Sequence, residues 1–248
     1  MTGRVLDLLT DRLTLALLVL TALMFGMPAL KPLFAVLYPS LERPLYEADS
    51  FLALTADHLA LVGLSSLGAV LVGCTAGIVV TRPSGAEFRG LLEAVATMGQ
   101  TFPPVAVLAV AVPAIGFGVE PALIALTLYA LLPIVENTVA GLEGVPASVL
   151  ETARGLGMRP VEILLRVELP LAAPVILAGI RTAVIINVGT AAIASTVGAK
   201  TLGLPIIIGL NGSNPAYVIQ GAAVVAVLAV VLDFGFDRLT FLLSRWRV

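Results

Sequence analysis

Long stretches without a single charged residue are the feature that most restricts how this chain can fold. Such uncharged runs occupy residues 13–30, 59–81, 94–119, 121–135, 182–199 and 201–232. A helix needs about 20 mostly apolar residues to cross the hydrocarbon core of a bilayer. Strands of a membrane barrel would instead alternate polar and apolar residues in pieces of about ten. The runs therefore predict an all-α integral membrane protein, a polytopic helical bundle.

The last of these runs is long enough for more than one crossing, but it contains a break. The letters NGSNP at 211–215 are turn-forming residues. We therefore expect a short apolar segment at 202–210 and a separate crossing from about residue 216. The chain is then a single membrane domain, residues 1–248, with about six transmembrane helices.

Lysine and arginine indicate the orientation of the bundle, because they concentrate in cytoplasmic loops. With a cytoplasmic N-terminus, eleven of the 14 basic residues fall on the cytoplasmic side. Only Lys31, Arg43 and Lys200 fall outside. The reverse topology would reverse this bias, so we expect both termini and the loop at 143–170 to be cytoplasmic.

That loop carries an unusual density of charge for so apolar a chain. Its charged side chains within the last twenty residues are Glu151, Arg154, Arg159, Glu162, Arg166 and Glu168. Glu151 and Arg154 have i,i+3 spacing, and Glu162 and Arg166 have the favourable i,i+4 order. The spacing predicts two short helices whose charged faces are stabilised by these pairs.

The ends of the two helices can be placed from local signals. Ser148 stands three residues before Glu151, which is the spacing of a capping box. Gly155 and Gly157 can close the first helix, and Pro160 suits the first turn of the second. Leu169 and Pro170 are expected to stop the second helix. The prediction is a sharp helical hairpin with a glycine corner.

Two interpretations of this hairpin follow from its residues. A solvated connection between two spans would account for the charges alone. Apolar residues on short exposed helices indicate instead a surface to which a partner docks.

The hairpin resembles the EAA motif of permease subunits in binding-protein-dependent ABC importers. That motif reads E-A-A, three residues, G, nine residues, and I-x-L-P. Here Glu151-Thr152-Ala153 is followed at the same offsets by Gly157 and by Val167-Glu168-Leu169-Pro170. The resemblance implies that the loop sits in a groove of a cytoplasmic ATPase. The residues that it assigns to coupling are Glu151, Thr152, Ala153, Gly157, Val167, Leu169 and Pro170.

The resemblance extends over most of residues 55–240, and within that range the sequence is similar to one subfamily. Segments such as GIRTAVIINVGTAAIASTVGAKTLG at 179–203 look like the osmoprotectant branch, whose members import glycine betaine, choline or carnitine. Glu136 stands where that branch has a basic residue. The resemblance implies a type I ABC importer permease. The alternatives are a permease for another small solute, such as an amino acid, and an ion-coupled secondary transporter, which would want acidic residues at mid-membrane.

The chain lacks the residues that would bind and hydrolyse ATP. A P-loop needs G-x-x-x-x-G-K-[ST], and the nearest match, STVGAKT at 195–201, has Ala199 before Lys200. We therefore expect a transport subunit rather than an enzyme, with no cofactor or metal of its own and with ATP and Mg²⁺ on a separate chain. A net charge of -2 suggests no nucleic-acid partner.

The partners follow from the resemblance. They are a cytoplasmic ATPase dimer, a second permease copy or a paralogue, and an extracytoplasmic substrate-binding protein. The surrounding lipid is the remaining contact. The family places such a chain in the cytoplasmic membrane of a prokaryote.

Polar residues inside the spans are candidates for the translocation path or its gate, because a charge there costs about 2.5–3.5 kcal/mol on insertion scales. The candidates are Gln100, Thr101, Pro103, Arg181, Asn187 and Thr190. Arg181 either extends toward the cytoplasmic face or pairs near an inner gate with Glu93 or Glu136.

The remaining candidates also allow two interpretations each. Asn187 either lines the path or bonds to a neighbouring helix. Pro103, within GQTFPP at 99–104, marks either a gate or a packing kink in the third span. His58, beside Asp57, is predicted to form a structural pair at the outer end of the second span.

Overall fold

The computed structural model describes residues 11–244, and all of the regular structure within that range is helical. In chain order the α-helices are α1 (Arg12–Gly26), α2 (Lys31–Leu37), α3 (Phe51–Val80), α4 (Arg89–Thr101), α5 (Pro104–Ile115), α6 (Val119–Glu143), α7 (Ala147–Gly155), α8 (Pro160–Ile163), α9 (Leu169–Thr190), α10 (Gly203–Asn211) and α11 (Pro215–Ser244). Short 3₁₀ segments occupy Met27–Leu30, Ala86–Phe88 and Ala191–Val197, and a π turn occupies Leu164–Glu168.

Within the described residues, five continuous helical stretches are long and apolar enough to cross a membrane. They are Arg12–Leu37, Phe51–Val80, Val119–Glu143, Pro160–Val197 and Pro215–Leu242. A sixth crossing is formed if α4 and α5 are counted together as one broken span. This architecture confirms the predicted all-α polytopic bundle.

The third span is broken at its two prolines, as the sequence predicts. Its two parts meet at an angle of 93°. Phe102 adopts extended backbone angles, because the ring of a following proline disfavours the helical region. Pro103 and Pro104 also have no N–H with which to continue the helical hydrogen bonds. The break is thus a local consequence of the two prolines.

The break predicted in the last run is confirmed. The backbone of Ser213 is left-handed, with φ of 51°, and the Asn214 N–H donates to the Gly209 carbonyl at 2.7 Å. The Asn214 side-chain oxygen then accepts from the Tyr217 N–H at 3.2 Å, in the first turn of α11. The short helix α10 and the last crossing are separated by this turn.

Helix α6 is the centre of the bundle, with α3 and α9 packed against it through glycine. A Cβ added at Gly77 of α3 would lie 2.8 Å from the Thr138 side chain of α6. A Cβ at Gly179 of α9 would lie 2.5 Å from the carbonyl oxygen of Pro133. Because glycine has no side chain, the helix backbones can approach closely at these positions, as in many membrane helix pairs.

The ion pairs among the described residues lie at two opposite ends of the bundle. At the end that holds α7 and α8, the hairpin end, they join Arg82 to Glu168, Arg89 to Glu143, Arg181 to Asp233, and Arg238 to Asp11. At the opposite end they join Lys31 to Glu47 and Lys200 to Asp49. The three basic residues predicted to lie apart from the rest, Lys31, Arg43 and Lys200, are all at the opposite end. Arg4, Arg245 and Arg247 lie outside the described residues.

Candidate coupling hairpin and intramembrane polar residues

The N-terminal end of α7 differs from the prediction. Pro146 is the residue that precedes the helix, and its carbonyl already accepts from the Val149 N–H at 3.0 Å. Ser148 is therefore inside the helix, where its side chain cannot cap, and the predicted capping box with Glu151 is wrong. A glutamate side chain does bond to the backbone at the start of α8, where Glu162 accepts from the Arg159 N–H at 2.9 Å.

Gly157 closes α7 as predicted. Its φ is +79°, in the left-handed region that favours glycine. The Met158 N–H donates to the Ala153 carbonyl at 3.2 Å, and the Gly157 N–H donates to the Arg154 carbonyl at 2.9 Å. These two bonds form a Schellman motif, which satisfies the last carbonyls of the helix.

The prediction that the second arm of the hairpin stops at Pro170 is wrong. The π turn Leu164–Glu168 joins α8 directly to α9, in which Pro170 occupies the first turn. Pro170 lacks the N–H that would continue the helical hydrogen bonds, and the wider π turn lies just before it. The hairpin therefore leads without a loop into a helix that spans the membrane.

The predicted charge pairs within the hairpin are not formed, since no ion pair in residues 11–244 joins Glu151 to Arg154 or Glu162 to Arg166. Glu168 of the π turn pairs instead with Arg82, which follows α3, at 2.7 Å. The Glu168 side chain is only 8% exposed, and Arg82 is 31% exposed. Sequence spacing missed this pair because its members are 86 positions apart.

An apolar groove of about 370 Å³ runs along the hairpin. Its lining residues are Ser148, Val149, Thr152, Ala153, Leu156, Met158 and Val167. Leu156 in the groove, and Val161 and Leu165 on the second arm of the hairpin, are exposed by 78%, 64% and 58%. Large apolar side chains are thus presented at the hairpin end, where the ion pairs described above are concentrated.

The predicted coupling residues fall into two groups in relation to this groove. Thr152, Ala153 and Val167 line it. Glu151, Gly157 and Pro170 are exposed, and Leu169 is half-buried. A Cβ at Gly157 would meet nothing within 4 Å, so the space beside the corner is open.

Three of the path candidates lie where α4 meets α5. Gln100 is half-buried, and Thr101 and Pro103 are exposed. The Thr101 hydroxyl donates to the Thr97 carbonyl of its own helix at 2.9 Å. A fourth candidate, Thr190, likewise bonds within its own helix, to the Ile186 carbonyl at 2.9 Å.

Arg181 pairs with neither of the residues predicted for it. Its Nε donates to Asp233 at 2.7 Å, and its guanidinium also contacts Asp237. The two aspartates are one helical turn apart on α11, so they present carboxylates on one face toward α9. Glu93 pairs with Arg89 on its own helix, and Glu136 is exposed. The pairs predicted with Glu93 and Glu136 are therefore wrong.

Asn187 is fully buried and links two helices. Its amide nitrogen donates to the hydroxyls of Ser65 and Ser66 on α3, at 3.3 and 3.2 Å. Its amide oxygen has no partner in the described residues. This contact is of the kind that holds membrane helices together through polar side chains.

His58 adds a second polar link between the same helices. Its Nε2 donates to the Val188 carbonyl at 2.9 Å, which leaves Nδ1 as a buried acceptor without a partner in the described residues. Asp57 points outward and is exposed. The predicted Asp57–His58 pair is wrong, because successive helical residues face different directions.

Replacing Asn187 with leucine is expected to weaken the contact between α3 and α9. Two interhelical hydrogen bonds are lost, and such bonds contribute about 0.6 kcal/mol each in membrane proteins. We expect a lower melting temperature of the protein in detergent. Thr190→Val is the matched control, since it removes only a bond within one helix. Equal melting temperatures for both variants would contradict the assignment.

At the opposite end, a polar network fastens the segment before α3 to α11. Gln220 of α11 accepts from the Tyr46 N–H at 3.0 Å and donates to the Pro44 carbonyl at 2.7 Å. The Tyr46 hydroxyl donates to Asp49 at 3.1 Å. A hydrogen bond from Lys200 holds the pKa of the Asp49 carboxyl below its usual value, and burial raises the pKa of Tyr46. Lys200 of STVGAKT therefore has a structural partner.

Comparison with known proteins relates this architecture to transport systems. The family model described as binding-protein-dependent transport system inner membrane component matches residues 69–246. The osmoprotectant import permease protein OsmY of Salmonella typhimurium is 47% identical over 176 residues, covering 71% of this chain and 75% of that protein. The choline transport system permease protein OpuBB of Bacillus subtilis is 44% identical over 180 residues, covering 73% and 82%.

A solved structure shows the same fold. The inward-facing MetNI methionine ABC transporter contains a chain that matches with a TM-score of 0.70 at 24% identity, covering 78% of this chain and 96% of that one. Both the family match and the identity to these permeases extend over most of the chain, so the protein belongs to the family of binding-protein-dependent transport system inner membrane components.

Proposed function

We propose that this chain is the permease subunit of an ATP-driven importer and that the hairpin α7–α8 couples it to a separate ATPase. The observation that carries the proposal is the exposed apolar groove of the hairpin. Leu156 and Val161 stand in solvent on either side of its corner. Contiguous apolar surface of this kind marks interaction sites in folded proteins.

The construction of the hairpin suits the transmission of force. Its first helix is closed by the Schellman motif at Gly157, and its second arm continues into α9 without a flexible link. The Arg82–Glu168 ion pair also ties the base of the second arm to the end of α3. A displacement of the hairpin would therefore move two membrane-spanning helices together.

The energy source and the remaining partners belong to other chains in this proposal. ATP and Mg²⁺ are bound by a cytoplasmic ATPase dimer, since the sequence has no P-loop. A second copy of the chain or a paralogue completes the pore, and a substrate-binding protein delivers solute at the opposite end. The hairpin end and both termini then face the cytoplasm of a prokaryote, as the distribution of lysine and arginine favours.

The proposed cargo is a compatible solute with a quaternary ammonium group, such as glycine betaine, choline or carnitine. Support comes from the osmoprotectant and choline permeases that the chain resembles at 47% and 44% identity. Aromatic cages recognise such cations, and we place that selectivity in the partner substrate-binding protein. The test is uptake by the complete transporter in proteoliposomes, with each labelled solute and with methionine as the comparison.

Two results of that uptake assay would contradict the proposal. Uptake of methionine in preference to all three quaternary ammonium compounds would assign the chain to another solute. Uptake that depends on an imposed ion gradient and is unchanged by ATP would favour the secondary transporter.

The docking site itself is tested by introducing a charge at the glycine corner. Aspartate accepts the left-handed backbone better than most residues, and the space beside Gly157 is open, so Gly157→Asp should leave the fold intact. A charge buried without a partner in an interface is strongly unfavourable. We expect affinity purification of the variant from native membranes to recover about tenfold less ATPase than the wild type.

Gly90→Asp is the matched control for that experiment. Gly90 lies at the hairpin end, and a Cβ there also meets nothing within 4 Å, so the same charge is added outside the hairpin. We expect this variant to recover as much ATPase as the wild type, as measured by mass spectrometry. Full recovery with Gly157→Asp would overturn the assignment of the hairpin as the docking site.

A further inference from the structure

One side of the central helix α6 is left uncovered by the helices that pack around it. Pro133 contacts α9 and Thr138 contacts α3, each at a glycine, and Glu143 contacts α4 through an ion pair. At 3.6 residues per turn, Glu136 and Ala140 fall between the side toward α9 and the side toward α4. Both are exposed. We call this side of the bundle the uncovered face.

Glu136 lies within the depth of the membrane. It precedes Glu143, the last residue of α6, by seven positions, or about 10 Å at 1.5 Å per residue. The 25 residues of α6 extend over about 37 Å, whereas the hydrocarbon core is about 30 Å thick. A centred helix therefore places Glu136 about 7 Å inside the core. Its short side chain cannot extend to the headgroups as a long lysine or arginine side chain can.

The helices on both sides of Glu136 also present polar side chains to the uncovered face. On α4 three exposed polar residues are spaced four apart, so they share one side of the helix: Glu93, Thr97 and Thr101. Arg89 and Gly99 fix the side of α4 that meets α6, and the polar side adjoins it in the direction of Glu136. Thr182 of α9 is exposed on the other flank. Three helices thus give this face a polar character that lipid would not favour.

No positive charge in α4, α6 or α9 compensates Glu136, which makes no ion pair within residues 11–244. The basic residues of these three helices are Arg89 and Arg181. Each already contacts two carboxylates, the first on α4 and α6 and the second on α11. The uncovered face therefore carries a net negative charge at the depth of Glu136.

We propose that the uncovered face lines an aqueous passage and that Glu136 makes this passage favour cationic solutes. Water or a hydrated solute keeps an exposed carboxylate solvated at this depth, whereas lipid or a dry contact between copies would bury it unpaired. Acidic side chains that line a pore favour cations in the same way.

This inference rests on the proposed import function and makes its cargo more specific. A solute with a net positive charge, such as choline, is favoured over a zwitterion such as glycine betaine. The partner substrate-binding protein still decides which solute is delivered. Glu136 acts after delivery, when the solute enters the membrane.

The test compares ATP-driven uptake of choline and of glycine betaine by the complete transporter in proteoliposomes. Both solutes carry a quaternary ammonium group, but only choline has a net charge. Each is supplied at saturating concentration, so that the maximal rates report translocation. Glu136→Gln should lower the ratio of the choline rate to the glycine betaine rate about fivefold, the factor given by a water-screened contact between two unit charges. Glu136→Asp keeps the charge and should keep the ratio.

Glu120→Gln is the matched control. Glu120 is an exposed carboxylate at the opposite end of the same helix, and it makes no ion pair within the described residues. We expect this variant to keep the wild-type ratio. An unchanged ratio in Glu136→Gln would overturn the inference, and so would an equal fall in both variants. Import of neither solute by the wild type would contradict the proposed function itself.

The access of water to position 136 is measured separately from uptake. Cys74, the single cysteine, is replaced with alanine and Glu136→Cys is introduced. The complete transporter is then treated with a methanethiosulfonate reagent that carries a trimethylammonium group. We expect the new thiol to be modified, as measured by mass spectrometry. An unreactive thiol would show that lipid or a second copy covers the uncovered face, and would overturn the inference.

Discussion

Replacing Gly179 with alanine is expected to destabilise the bundle by about 3 kcal/mol, the upper end of what one added methyl group costs in a packed interior. The added Cβ would lie 2.5 Å from both the Pro133 carbonyl oxygen and the Asn137 Cβ. Neither atom is the end of a flexible side chain, so α9 must move away from α6. That separation would loosen the central contact of the fold. A fall in the melting temperature of the purified protein measures the effect.

Gly189→Ala on the same helix is the matched control. A Cβ there meets nothing within 4 Å, so no contact opposes it. Alanine is preferred to glycine in a helix by about 1 kcal/mol, and the control should therefore be neutral or slightly stabilising. If both variants melted at the same temperature, the close approach of α9 to α6 would not be what limits position 179.

Removing the positive charge of Arg82 is expected to have the second largest effect. In Arg82→Leu the Glu168 carboxylate, whose side chain is 8% exposed in the wild type, would lose its partner. Breaking a fully buried pair costs about 3–5 kcal/mol. Arg82 itself is 31% exposed, so water screens part of the interaction and a loss of about 2 kcal/mol is expected.

A double-mutant cycle separates the pair from its surroundings. Glu168→Leu combined with Arg82→Leu should be less destabilising than Arg82→Leu alone, because no unpaired charge is then buried. Thermal stability supplies the four values of the cycle. Additive losses would show that the two side chains act independently and that the base of the hairpin is not tied to α3 through them.

ATP-driven uptake by the same four proteins in proteoliposomes examines the mechanical role proposed for this ion pair. If it transmits the movement of the hairpin to α3, Arg82→Leu should lower uptake more than ATPase activity. A parallel fall in both activities would indicate loss of folded protein rather than loss of coupling.

Much of the fold follows from local properties of the sequence. A crossing helix needs only a long enough apolar run, so the uncharged stretches located the spans. The prolines at Pro103 and Pro104 predicted the break in the third span, because they act on the backbone of adjacent residues. The glycine corner at Gly157 is equally local, since a left-handed residue is needed wherever such a helix end turns sharply.

The errors concern contacts between distant parts of the chain. Arg181 pairs with Asp233, 52 positions away, and Arg82 pairs with Glu168, 86 positions away. Which carboxylate meets each arginine depends on how the helices are rotated and aligned against one another. Acidic residues in several spans satisfy the same sequence criterion, so hydropathy and spacing could not choose among them.

The sequence by itself determined the class of fold, the positions of the apolar spans and the glycine corner of the hairpin, because each depends on the chemistry of neighbouring residues. Only the tertiary structure decided that the second arm of the hairpin continues through Pro170 into α9, and that Asn187 bonds to Ser65 and Ser66. Both depend on packing against α3 and α6, where close backbone approach at glycine sets which polar side chains come within hydrogen-bonding distance.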